Sequence, residues 1–202
     1  MKQAHLGLSV EQLNDRQTWL QEQVSTLLHD LKLMDILRVA GQPKLVGSAE
    51  MGLMVWPDID LEVVSPGVPD LSRALDVVNR LMLEAGMRKL YIVDDRRSTK
   101  PDIPKGIYIG PDVRHGDLRW QVDIWIVNID EARRRRQLTE RIRSKLNDAS
   151  HSTILQIKQV VAASDKYHRG ISSVDIYTAV LDQGVLDMAG FDAYLRQTGR
   201  TL

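Results

Sequence analysis

The chain has 202 residues, 43% of them apolar, 27 basic against 27 acidic side chains, and no cysteine. That size and composition suit one good hydrophobic core, or one core with a smaller annex, and exclude global disorder, while the missing cysteines exclude disulfides, thiolate zinc sites and cysteine nucleophiles. Zero net charge speaks against a protein that coats extended nucleic acid; with no apolar run near the ~20 residues of a membrane span and no leader-like pattern in Met1 to Leu8, a cytoplasmic chain is expected.

Ser9-Val10-Glu11-Gln12 has the form of a capping box, so a helix is predicted to start there. Leu13, Leu20, Val24, Leu27, Leu28 and Leu31 continue its apolar stripe, and the helix, or a pair of helices, ends before Gly41-Gln42-Pro43. Lys44 to Gly47 reads as a short strand and Ser48 to Met54 as one or two helical turns stopped by Pro57. Asp58 to Val64 is a second strand, closed by Ser65-Pro66-Gly67. Leu71, Leu75, Val78, Leu81 and Met82 have helical spacing, with Gly86 as the stop. Arg88 to Val93 suits a strand, and Asp94 to Pro104 a loop. Gly106 to Ile109 and Leu118 to Val127 read as paired strands joined through Gly110-Pro111 and His115-Gly116. After Asp130 the strand signals cease, and Glu131 to Leu146, Thr153 to Ala163, Val174 to Leu181 and Gly190 to Arg196 read as helices. The chain divides accordingly into an α/β portion, residues 1–128, and a helical portion, residues 129–202.

The chemistry concentrates in the first portion. A Gly-Ser turn leaving an apolar strand, here Leu45-Val46-Gly47-Ser48, can offer backbone N–H groups and a hydroxyl to phosphate. Asp58 and Asp60 lie two apart on a strand, so they share a face while Ile59 turns inward. Their Cα atoms stand roughly 6–7 Å apart, from which two carboxylates can converge on divalent cations. Asp123 has the same setting between Val122 and Ile124, and a strand neighbouring that of Asp58 would gather all three carboxylates on one surface. Without cations such a cluster repels itself. Aspartate is disfavoured in strands, and the order and spacing of these parts, more than any one of them, carry the reading.

That combination resembles the nucleotidyltransferase superfamily typified by DNA polymerase beta. Its signature is an apolar residue, Gly, Gly or Ser, a spacer, then Asp-apolar-Asp/Glu-apolar. Val46-Gly47-Ser48, nine residues and Asp58-Ile59-Asp60-Leu61 satisfy it at the short end of the family's range. The resemblance covers roughly residues 40 to 128. It implies an α/β (α+β) mixed-sheet core that uses two Mg²⁺ ions and an NTP as co-substrate. Asp58 and Asp60 would ligate metal, Asp123 would ligate the catalytic ion and help deprotonate an acceptor hydroxyl, and Gly47 and Ser48 would hold the β- and γ-phosphates. The C-terminal helices add a weaker, architectural likeness to small antibiotic-modifying nucleotidyltransferases. The expected fold is a mixed sheet of about four or five strands with helices on one face, the active site on the other, and a helical region closing one side of the cleft. The expected activity is transfer of a nucleoside monophosphate from an NTP, ATP among them, to a hydroxyl of a small acceptor, with pyrophosphate released. A toxin-like enzyme acting on tRNA or protein and a non-catalytic nucleotide-binding protein are the alternatives.

Other residues carry weaker expectations. Lys158, beside the Ile154, Ile157 and Val161 stripe, is a candidate triphosphate contact, and Lys166-Tyr167-His168-Arg169 a lesser one, although basic residues late in a helix also complement its dipole. Arg133-Arg134-Arg135-Arg136 reads as a solvated helix face, because consecutive helical residues point about 100° apart. Trp125, two residues from Asp123, shares that carboxylate's face and could stack on a base or acceptor, or pack in the protein. His115, in a Gly-flanked loop, is a candidate acid or base, although a hairpin-loop histidine usually serves as neither; His151 and His168 have no ligand-like spacing with each other, and Tyr167, Tyr177 and Tyr194 suit helical packing.

Overall fold

The computed structural model describes residues 7–101, 103–164, 166–167 and 170–202; the readings made for residues 1–6 and for His168 and Arg169 fall outside the described residues. Its elements run α1 (Val10–Asp30), α2 (Leu33–Leu37), β1 (Gln42–Val46), α3 (Gly47–Met51), β2 (Asp58–Val64), α4 (Leu71–Leu83), β3 (Leu90–Asp94), β4 (Gly106–His115), β5 (Leu118–Val127), α5 (Ile129–Lys145), α6 (Asp148–Ala163), α7 (Ser173–Gln183) and α8 (Met188–Gln197).

The chain forms two compact units. One, Gln21–Gly52 with Pro57–Thr139, contains the whole sheet; the other gathers the described residues up to Leu20, Leu53–Trp56 and Glu140–Leu202. This differs from a sequential division at residue 128. The boundaries fall inside α1 and α5 and at either end of Leu53–Trp56.

The sheet unit has strand order β1-β2-β5-β4-β3. β2 and β5 run parallel, and the other neighbours are antiparallel. Period-two alternation sorts the side chains. Ile59, Leu61, Val63, Ile107, Ile109, Val122, Ile124 and Ile126 are buried to within 1% and make the core of one face. On α4, Ala74, Val77 and Leu81 are fully buried, and Asp70 caps the helix by accepting from the Ser72 amide.

Strand β4 does not end at Ile109 as its Gly-Pro pair suggests; it runs on to His115. Pro111 lacks a ladder donor, and pairing with β5 is interrupted at Gly110-Pro111, between Ile109↔Ile124 and Asp112↔Gln121. The strand continues because β3 pairs there, Tyr91 opposite Gly110 and Leu90 opposite Pro111. The turn to β5 is made at Gly116, whose φ of +57° suits a residue without a Cβ.

In the helical unit, α6 starts five residues earlier than Thr153, since Asn147 and Ser150 form a reciprocal capping box. Ser172 and Asp175 do the same for α7, and Asp187 caps α8 through the Gly190 amide. Ile154, Leu155, Ile157, Ile176, Ala179, Phe191 and Leu195 are fully buried there. Leu13 and Val55 pack against Leu155, with Leu8, Trp56 and Ala162 alongside. The tyrosines are packing residues: Tyr167 meets Trp56 edge-on at 4.6 Å and Tyr194 stacks with Phe191. No helix among the described residues is long and apolar enough to cross a membrane.

Candidate active site

The parallel register of β2 and β5 sets Asp60 opposite Asp123 and Asp58 opposite Gln121. Directly paired residues of adjacent strands project to the same side, so Asp58, Asp60 and Asp123 share one face of the sheet. Asp58 is buried, and Asp60 and Asp123 are half-buried. β1 brings the Gly-Ser turn to the same place, because Val46 pairs with Asp60 and Gly47 follows at once.

Gly47 is indispensable to that approach. Its φ of +70° lies in the left-handed region, and a Cβ built there overlaps Oδ2 of Asp60. Backbone and carboxylate occupy the space that a side chain would need. Ser48 is buried at the start of α3, and its carbonyl accepts from the Gly52 amide at that helix's end.

Asp123 is held by two neighbours that local reading of the sequence did not single out. The Tyr108 hydroxyl donates to Asp123 Oδ1 at 2.5 Å, and the Gln121 amide donates to Oδ2 at 3.2 Å. Burial, with the Asp123 carboxylate beside it, pushes the Tyr108 phenol above its ordinary value, so it remains a proton donor in this bond. Gly110 makes the bond feasible: a Cβ there would stand 2.6 Å from the Tyr108 hydroxyl. The signal for Tyr108 lay in its alternation with Ile107 and Ile109, yet only the antiparallel register, Tyr108↔Trp125, puts it on the carboxylate face.

A fourth acid, Glu62, occupies the same face of β2 but is engaged otherwise. Arg135 Nε sits 3.0 Å from its Oε2. Burial pushes the Glu62 carboxyl up, against the pull of Arg135 and Lys44. The arginine run is dispersed: Arg133 pairs with Asp130, Arg134 with Glu131, and Arg135 reaches Glu62. His115 joins Asp30 at 2.9 Å, an anchoring role.

Lys158 belongs to the helical unit and is 1% exposed. Its ammonium donates to the Leu53 carbonyl at 2.7 Å and the Tyr177 hydroxyl at 3.2 Å, and lies 5.0 Å from the Trp56 ring centroid. The expected phosphate contact is thus, in this structure, a buried cation satisfied by a carbonyl, a hydroxyl and an aromatic face.

The donor set suits Mg²⁺, a hard cation that takes oxygen ligands. Among the described residues, no three acidic or imidazole groups already converge closely enough to hold an ion. Each oxygen of Asp123 accepts one hydrogen bond, from Tyr108 and from Gln121.

No protein-family model matches the chain, and no curated protein matches it in sequence. Among solved structures it is similar to a cytoplasmic RNA terminal U-transferase, at 18% identity and a TM-score of 0.54, over 80% of this chain and 47% of that one. It is similar to the Cid1 poly(U) polymerase bound to Mg and 3′-dATP, at 21% identity and a TM-score of 0.53, over 80% and 48%. It is also similar to the non-canonical poly(A) polymerase complex GLD-2–GLD-3, at 14% identity and a TM-score of 0.52, over 83% and 57%. The chain spans about half the length of these structures. Its five-stranded mixed sheet with helices is a fold that it shares with these structures.

Proposed function

We propose that this chain is a nucleotidyltransferase that moves a nucleoside monophosphate from an NTP to an acceptor hydroxyl. The observation that carries the reading is the Asp60↔Asp123 pairing, with Asp58 on the same face and Gly47-Ser48 beside them. The named activities of its structural neighbours, terminal uridylyl transfer and poly(U) or poly(A) synthesis, support the reaction class.

Asp58, Asp60 and Asp123 would hold Mg²⁺, with which come charge neutralisation on the phosphates and a lowered hydroxyl pKa. Gly47 and Ser48 receive the β- and γ-phosphates through backbone N–H groups and the hydroxyl. The acceptor oxygen bonds to the α-phosphorus, the bond to the bridging oxygen breaks, and its electron pair leaves on pyrophosphate. Asp123 takes the acceptor's proton and passes it to water, held meanwhile by Tyr108 and Gln121. Lys158 has no part in this scheme, its ammonium being enclosed in the helical unit. Equal numbers of basic and acidic residues favour a compact acceptor over a long nucleic acid.

The test is calorimetric titration of the purified protein with each NTP and Mg²⁺, alongside pyrophosphate release with nucleoside, metabolite and RNA pools. Binding of at least one NTP, and its loss in Asp60→Asn, is expected. Failure of every NTP to bind sinks the proposal, and binding without pyrophosphate release in any pool turns it into a non-catalytic nucleotide-binding protein.

A further inference from the structure

Three aromatic rings extend the carboxylate face away from the Gly-Ser turn. Trp125 is two residues beyond Asp123 on β5, Tyr108 is its partner on β4, and Val93 of β3 pairs with Tyr108. Tyr91, two residues before Val93, therefore joins the same face. Ring centroids lie 5.1 Å apart for Tyr108–Trp125 and 6.3 Å for Tyr91–Tyr108. Tyr91, on the edge strand, is 60% exposed. We infer that Tyr91, Tyr108 and Trp125 are a seat for the acceptor, and that what they seat is a nucleobase. The inference rests on the transfer reading above and adds the chemical class of its acceptor.

Sheet order supplies the first argument. Across the sheet come the Gly-Ser turn after β1, the carboxylates on β2 and β5, then the rings on β5, β4 and β3. Displacement at phosphorus is in line, so attacking and leaving oxygens stand on opposite sides of the transferred group. With pyrophosphate leaving toward Gly47 and Ser48, the acceptor enters over the rings.

The second argument is what those rings present. The Tyr108 hydroxyl and the Gln121 amide are committed to Asp123. The Tyr108 ring therefore meets the face beyond the carboxylate with its π-surface, beside the rings of Trp125 and Tyr91. A flat heterocycle stacks on such a surface whatever its edge pattern. At Gly110 the chain forgoes a side chain where a Cβ would crowd both Tyr108, at 2.6 Å, and Tyr91 Cε2, at 2.9 Å. The backbone makes room for two rings to lie side by side.

The source of the base, a free nucleoside or an RNA terminus, is separable by probe. A fluorescently labelled six-residue single-stranded oligoribonucleotide is titrated by anisotropy in Mg²⁺ buffer, with adenosine, uridine and a base-free aminoglycoside as competitors. Tyr91→Ala is expected to weaken the oligonucleotide or nucleoside roughly 5- to 150-fold, the range for loss of one stacking ring, while Tyr91→Phe stays within about twofold of wild type. Competition by nucleosides alone marks a nucleoside-sized acceptor, and dependence on the oligonucleotide chain marks an RNA end; either supports the seat. Unchanged binding by Tyr91→Ala overturns it, as does binding of neither base-bearing probe, or displacement by the aminoglycoside but not by nucleosides. NTP affinity, titrated separately, stays unchanged in Tyr91→Ala. Failure of NTP binding in the wild type would remove the transfer reading, whereas intact NTP binding with an inert Tyr91 would remove only the seat.

Discussion

Gly47→Ala separates backbone strain from the crowding of Asp60, because Gly86 supplies a matched control. The two glycines have φ of +70° and +66°, but a Cβ at Gly86 meets nothing within 4 Å, whereas one at Gly47 overlaps the Asp60 carboxylate. Alanine in the left-handed region costs about 1–2 kcal/mol, a term common to both variants. For a chain of this size each kcal/mol lowers Tm by roughly 2–4 °C, so Gly86→Ala should melt about 2–8 °C below wild type. Gly47→Ala adds the displacement of Asp60 by more than an ångström, out of its rotamer, at about 0.5–1.5 kcal/mol further. Displacement on that scale costs on the order of 100-fold in catalysis. Melting curves for the three proteins, with NTP titration and pyrophosphate release, give the answer. The reasoning fails if Gly47→Ala melts with Gly86→Ala and transfers at the wild-type rate, for then Asp60 has room that the structure denies it.

Tyr108→Phe removes the donor to Asp123 and should lower Mn²⁺ affinity, read by electron paramagnetic resonance, by about 10- to 100-fold with Tm falling only a few degrees; an unchanged affinity would show that Tyr108 does not orient the carboxylate. Lys158→Ala leaves a cavity in the helical unit and should cost about 2–4 kcal/mol in urea melts while NTP affinity holds, and a tenfold loss of NTP affinity at wild-type stability would instead restore Lys158 as a phosphate ligand. Hydrogen bonds from Arg96 hold the Asp94 carboxyl at about 2, down from 3.8. A depressed acid stabilises above its unfolded value and loses that as pH falls through the folded one, so the Tm difference between wild type and Asp94→Asn should be constant from pH 7 to pH 5 and close between pH 4 and pH 2. The pair is exposed, so salt should shrink the difference at neutral pH, and a gap that persists at pH 2 would contradict the assignment.

Much of the site was readable before folding was considered, because the deciding physics there is local. Alternation alone puts Asp58 and Asp60 on one face with Ile59 opposed, and the Gly-Ser pair after an apolar strand marks a turn that a side chain at Gly47 would spoil. The helices from α5 onward were legible from their stripes; their starts were less so, since Asn147–Ser150 is a capping pair only once both residues adopt cap geometry. The end of β4 was misread for a related reason: Gly110-Pro111 breaks the ladder to β5, but pairing with β3 carries the strand through.

What tertiary structure decided is every relation between distant strands. Asp123 is a neighbour of Asp60 only because β5 lies parallel to β2 in that register, and a slip of one residue would turn Asp123 into the core. The same pairing network brings Tyr108 to Asp123, gives Glu62 to Arg135, and lines up Tyr91, Tyr108 and Trp125. Lys158, on an apolar stripe like many solvated lysines, is enclosed because Leu53, Trp56 and Tyr177 arrive from elsewhere in the chain to satisfy its charge. Composition and periodicity determine which face of each element is apolar, since that depends only on bond geometry within the element. Which faces meet, and in what register, follows from burying all of those apolar surfaces at once, a quantity that belongs to the whole chain.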